Sequence, residues 1–141
     1  MIAGVNPVLV HNVGCGTTIY RGVPENDSNG IAHPGFDAAT EGIAAPQGGN
    51  ASAADHQAGN TDSPYVSWST SYRVAERRAK AGESGYGVVI ESEIPADVPY
   101  IYVNDEPWAD RDYQSEYEVL MQGEVQGTST LVGPGLAEFK P

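Results

Sequence analysis

Cysteine, histidine, phenylalanine and positive charge are all scarce in this 141-residue chain: one Cys, three His, two Phe and seven Lys or Arg. A lone Cys15 cannot close an internal disulfide, and with scattered histidines it forms no zinc-ligand pattern, so a disulfide-stapled or zinc-held domain is excluded. No apolar run approaches the roughly 20 residues of a membrane helix, so a soluble protein without a membrane partner is expected. The first residues, Met1 to Pro7, carry neither the charged stretch nor the long apolar run of a signal peptide. Nineteen acidic residues against seven basic ones leave a formal charge of −12. That balance disfavours a protein that coats nucleic acid, which needs a basic surface to displace counterions. It does not forbid an enzyme that touches RNA briefly. The length supports one domain with a modest core.

The charge is uneven. Arg73, Arg77, Arg78 and Lys80 fall within one short segment, whereas Arg111 is the only base in the acid-rich stretch from Glu91 to Glu124. Those acids are either a solvated face or, in part, the lining of a site.

Local patterning predicts a β-rich α+β domain with two short helices. Residues 17–23, β-branched and aromatic, suit a strand that ends near Gly22 and Pro24. Residues 25–35 are loop chemistry, and Phe36, Ala39 and Ile43 are spaced for a helix over 36–45. Residues 47–64 are small and polar and predict an irregular, functional or mobile loop. A strand over 65–68 leads into a helix over 72–81, in which Glu76 precedes Lys80 by four residues in the favourable order. The strongest strand is 86–94, followed by short ones at 99–103 and 113–121 and a glycine-broken tail.

Three short motifs carry chemistry, and each alone has a plain structural explanation. Tyr20-Arg21-Gly22 puts an arginine late on a strand, where a surface salt bridge would account for it. Ser67-Trp68-Ser69-Thr70-Ser71 places hydroxyls where a strand meets a helix, where capping would account for them. Glu116-Tyr117-Glu118 sets two carboxylates two residues apart, which strand periodicity would put on one face, either exposed or in a site.

In that order, Arg, then Ser-Thr-Ser, then Glu-x-Glu, the chain resembles the arginine–serine–glutamate class of ADP-ribosyltransferases. Residues 54–71, the basic helix and the strand at 85–90 extend the likeness to toxin-tip members of that superfamily. The segment Val8-Leu9-Val10-His11-Asn12, followed by Cys15-Gly16, resembles the junction before the variable toxin of Rhs-type polymorphic proteins. The resemblance implies a split β-sandwich catalytic domain over residues 17–141, behind a junction at 1–16. It implies NAD as substrate, mono-ADP-ribosyl transfer and a cognate immunity protein. It also implies type VI delivery into the cytoplasm of a competing cell, where the released toxin acts as a monomer.

Roles follow from the resemblance residue by residue. Arg21, next to Gly22, would anchor the pyrophosphate, for which a guanidinium is a bidentate match. Glu118 would be the catalytic carboxylate, stabilising positive charge on the ribose. Ser69 would position Glu118 and the strand edge through hydrogen bonds, while Thr70 and Ser71 cap the helix and shape the nicotinamide pocket. Tyr72 is either a nicotinamide-stacking residue or a core residue. Glu116 would orient or deprotonate the acceptor, which in the resembling families goes with a protein arginine. A Gln114-x-Glu116 register would instead make Glu116 catalytic, but the apolar run Val119-Leu120-Met121 directly after Glu118 favours the first register. Trp108, Tyr113 and Tyr117 would be either acceptor-recognising or packed. His56 lies in the resembling segment without an assigned role, and Cys15 has no base paired with it by motif. The alternatives are an RNA acceptor, an NAD glycohydrolase with water as acceptor, and a non-enzymatic acidic module that mimics nucleic acid.

Overall fold

A computed structural model describes residues 13–60 and 62–135 of the chain. The junction segment Val8 to Asn12 and the side chain of Tyr113 lie outside the described residues.

The chain is α+β, with a six-stranded antiparallel sheet, a two-stranded one and short helices. In chain order these are β1 (Thr18–Pro24), α1 (Phe36–Thr40), β2 (Ile43–Ala44), α2 (Ala53–Gln57), β3 (Tyr65–Ser69) and α3 (Tyr72–Ala79). Then come β4 (Gly87–Glu93), β5 (Tyr100–Tyr102), two 3-10 turns (Val103–Asp105 and Arg111–Glu116), β6 (Glu118–Gln122), β7 (Val125–Gln126) and β8 (Thr128–Val132). The large sheet runs β5-β6-β3-β1-β4-β8, and β2 pairs with β7.

The centre of the large sheet is weakly joined. β1 and β4 run in register from Thr18↔Glu93 to Pro24↔Gly87, and β3 and β6 from Tyr65↔Gln122 to Ser69↔Glu118. Between β1 and β3 the ladder holds only Tyr20↔Ser69. The sheet therefore opens into two halves just beyond that pair.

Strand alternation sends Ile19 and Val23, Val66 and Trp68, Val88 and Ile90, and Val119 and Met121 into one shared core. On the reverse face of β1 and β4, α3 packs Tyr72, Ala75 and Ala79 against Val89 and Val132. On the reverse of β6, Ala53 of α2 and Val103 pack on Leu120. Gly22 makes the α3 contact possible: a Cβ there would lie 1.8 Å from the carbonyl oxygen of Ala75.

Three expectations need correction. The helix expected over 36–45 stops at Thr40. Gly42 turns the chain at φ +79 against the backbone of Gly127, and Ile43–Ala44 pairs with Val125–Gln126. That partner strand is remote in sequence, so a helical spacing of three apolar residues could not reveal it. The stretch 47–64 is not wholly irregular: Ser52 caps α2 by accepting from the Asp55 amide at 3.2 Å. Ser52-x-x-Asp55 was the signal for it. Finally, Glu116 is not on a strand. It ends a 3-10 turn, Tyr117 adopts a left-handed conformation at φ 48, and β6 begins at Glu118.

Candidate functional site

Where β1 and β3 part, a cleft opens as two adjoining hollows of about 270 and about 500 Å3 that share Arg21, His33, Ser67 and Arg78. The smaller one lies beneath α3 and is also lined by Gly22, Ser69, Glu116 and Glu118. The larger is flanked by Val23, Ile43, His56, Tyr65 and Val66.

Arg21 sits at the opening itself. Were the β1–β3 ladder to continue beyond Tyr20↔Ser69, Gly22 would face Ser67. Instead the strands diverge and the Arg21 guanidinium donates to the Ser67 carbonyl oxygen at 2.8 Å. Burial, and then the proximity of Arg78, bring its pKa down to about 10, so it stays charged at neutral pH.

Glu118 stands at the first position of β6, and Ser67 Oγ donates to its Oε2 at 2.7 Å. Burial pushes its carboxyl above the usual carboxylate range. Ser67, Arg78 and the Gln57 side-chain amide partly oppose that shift, whereas Glu116 adds to it. The Ser69 side chain does not reach the Glu118 carboxylate, but Ser69 is the ladder partner of Glu118. Its hydroxyl donates to the Glu116 carbonyl oxygen at 2.6 Å and accepts the Ser71 amide at 3.0 Å, which ties the turn before β6 to the head of α3. Ser67 and Ser69 share a strand face, so their spacing could not tell which of them reaches the carboxylate.

Glu116 lines the same hollow as Glu118 although it is off the strand, and its carboxylate pairs with the guanidinium of Arg78. Within the basic helix, Lys80 pairs with Glu76 at 3.2 Å, so this segment is partly neutralised within the fold.

Thr70, Ser71 and Tyr72 each have a structural partner. The Thr70 amide donates to the Tyr117 carbonyl oxygen at 3.2 Å, and Ser71 caps α3 by accepting from Val74 at 3.4 Å. Tyr72 is buried in the cluster under α3, edge-to-face with Tyr20 at 5.6 Å, which is the core alternative and not the stacking one. Neither Thr70, Ser71 nor Tyr72 lines the hollows. Trp108 packs on the cluster around Leu120, whereas Tyr117 is 45% exposed beside the cleft.

Sequence reasoning left His56 without a role and passed over Ser63, Gln57 and Arg78 as individuals. His56 of α2 contacts Ser67 Oγ through Nε2 at 3.0 Å and Ser63 Oγ through Nδ1. Burial and Arg21 hold its pKa below the usual histidine value, and those two causes do the same at His33. Among the described residues, no cluster of His, Cys, Asp or Glu could hold a metal ion, and no helix is long and apolar enough to cross a membrane.

No family model matches the chain, and no curated protein matches it.

Proposed function

We propose that the chain is an NAD-dependent mono-ADP-ribosyltransferase of the arginine–serine–glutamate class, with its catalytic domain a split β-sandwich and the opening between β1 and β3 its NAD cleft. One observation carries this reading: a half-buried carboxylate, Glu118, and two guanidinium groups, Arg21 and Arg78, face one cleft where the sheet opens. An enzyme of charge −12 that takes a substrate bearing a pyrophosphate must bind it locally against its own field. Arg21 supplies that local charge, while Arg78 faces the same cleft paired with the Glu116 carboxylate.

Glu118 hydrogen-bonds the ribose hydroxyls of NAD, and its charge stabilises the positive charge that develops on the ribose as the nicotinamide bond breaks. The bonding electrons leave with nicotinamide, and the acceptor forms the new bond to the same ribose carbon. For a protein arginine, the guanidinium nitrogen supplies the electron pair and its proton goes to Glu116. The toxin context, with the Rhs-type junction, delivery into a target-cell cytoplasm and a cognate immunity protein, rests on the sequence resemblance. An RNA acceptor is less well served, since Arg78 and Lys80 of the basic helix are already paired to carboxylates.

A second reading, NAD hydrolysis, is favoured by one observation. The carboxylate that would receive the acceptor's proton, Glu116, is engaged by Arg78. Purified protein incubated with NAD should release nicotinamide, and Glu118→Gln should lower that release by orders of magnitude. Radiolabelled NAD then separates the readings: label on protein supports transfer to arginine, label on RNA the nucleic-acid acceptor, and loss of NAD without labelled macromolecule supports hydrolysis. Full turnover by Glu118→Ala would overturn the assignment. No turnover at all, with tight binding to a basic nucleic-acid-binding protein, would support an acidic mimic.

A further inference from the structure

Four side chains from separate parts of the chain form one continuous row: Ser63 before β3, His56 on α2, Ser67 on β3 and Glu118 on β6. Their hydrogens can be assigned from chemistry alone. The Ser67 hydroxyl has one proton and two neighbours that could take it, His56 Nε2 at 3.0 Å and Glu118 Oε2 at 2.7 Å. An ionised carboxylate only accepts, so Ser67 gives its proton to Glu118, and Nε2 must then carry a hydrogen and donate to Ser67. A neutral imidazole protonated at Nε2 has a bare lone pair at Nδ1, and that is where Ser63 Oγ lies. Ser63 is fully buried and its oxygen accepts the Tyr65 amide at 3.2 Å; its proton has two acceptors, Nδ1 and the Tyr65 carbonyl oxygen at 3.4 Å, and the much shorter contact to Nδ1 takes it. Every donor in the row then has an acceptor, and all point the same way.

We propose that His56 and Ser63 are positioning residues for Glu118: they set the direction of the Ser67 hydroxyl so that one carboxylate oxygen is held and the other is left for substrate. The proposal rests on the reading of Glu118 as the catalytic carboxylate. With an unprotonated Nε2, the one Ser67 proton would be shared between two acceptors, and each time it turned to the histidine Glu118 would face lone pairs. The charged or titratable groups facing this row from other elements are Arg21 on β1, Tyr65 on β3, whose ring lies edge-on to His56 at 6.2 Å, Arg78 on α3, Glu116 before β6 and His33 before α1. Burial, and then Arg21, hold the His56 pKa below the usual histidine value, which favours the neutral ring and the lone pair that Ser63 needs.

The test uses the full chain and reads both catalysis and the ring itself. His56→Ala lowers kcat for nicotinamide release by about ten- to a hundredfold with KM for NAD changed less than about threefold, and moves the acid limb of the pH profile upward. His56→Gln, whose amide nitrogen can stand where Nε2 stands, restores most of kcat. His56→Asn, whose nitrogen reaches only the Nδ1 position, does not. Long-range 1H–15N spectra of the unliganded protein show the Nε2–H tautomer at pH 7, and Ser63→Ala mixes the two tautomers with the fold retained. An Nδ1–H tautomer or a charged ring at pH 7 would overturn the proposal. So would His56→Ala with native kcat and pH profile while Glu118→Gln is inactive. If the native protein does not cleave NAD, the enzymatic reading fails by itself, and the tautomer together with the carbon-13 titration of Glu118 still decides the row.

Discussion

Arg21 Nη1 donates to the Ser67 carbonyl oxygen across the line where β1 and β3 separate, a side chain taking the place of a ladder bond. The contact couples two things a cleft needs. It satisfies backbone exposed by the opening, and it holds a guanidinium at the mouth of the cavity that the opening creates.

Arg21→Ala should therefore carry a double penalty. Leaving the Ser67 carbonyl without its donor costs about 1–3 kcal/mol, measured by urea denaturation. Calorimetry should show NAD affinity reduced at least about tenfold, the loss expected when a charge-assisted contact of about 1.5–3 kcal/mol disappears. Arg21→Lys should recover charge but not the fork geometry, and only part of the affinity.

At Gly22 a methyl group has no space, since it would lie 1.8 Å from the Ala75 carbonyl oxygen in α3. Gly22→Ala should destabilise the fold by about 1–3 kcal/mol or more as α3 is pushed from β1. Thermal melting checks this, and Gly14→Ala, where an added Cβ meets only Tyr100 Oη at 3.8 Å, serves as a control for glycine loss away from the cleft.

The pH dependence of turnover follows from Glu118. On the proposed reading the active form is ionised, and burial raises its pKa, so kcat/KM should fall on the acid side with a midpoint above the ordinary carboxylate value of 4.5. Ser67→Ala removes a bond that favours the ionised form, and should move the midpoint further up. A midpoint at or below 4.5 in the native protein would contradict this.

Stability should move in the opposite sense at the same residue. A carboxyl whose folded pKa lies above its unfolded one favours folding below the unfolded value and costs stability once pH has risen through the folded value. Glu118→Gln should thus be more stable than the native protein at pH 7, and the gain should vanish near pH 3. Denaturant midpoints at the two pH values check the sign.

Ser71 and Ser69 should separate cleanly. Ser71→Ala removes the α3 cap and costs about 0.5–2 kcal/mol of stability, with turnover nearly unchanged. Ser69→Ala frees the turn that presents Glu116, and should change acceptor labelling more than nicotinamide release.

Much of the frame was legible locally. β1, β3, α3 and β4 follow from β-branched runs, a capping serine and an i,i+4 pair, because their periodicities are properties of neighbouring residues. The short α1 and the β2 strand were not, since Ile43–Ala44 is a strand only by virtue of Val125–Gln126. The order of Arg21, the serines and Glu118 was legible as well. Which serine meets the carboxylate was not, because Ser67 and Ser69 share one face of β3.

What the sequence alone determined is the α+β class, the lone cysteine, the charge of −12 and the residue types available for chemistry. Tertiary structure decided where the sheet parts, that Arg21 spans the gap, and that His56 from a stretch expected to be a loop stands behind Ser67. The division has one physical cause. Propensity and periodicity act between residues a few positions apart, whereas the cleft is made by strands that fail to pair, and by side chains 46 and 51 residues apart that meet there.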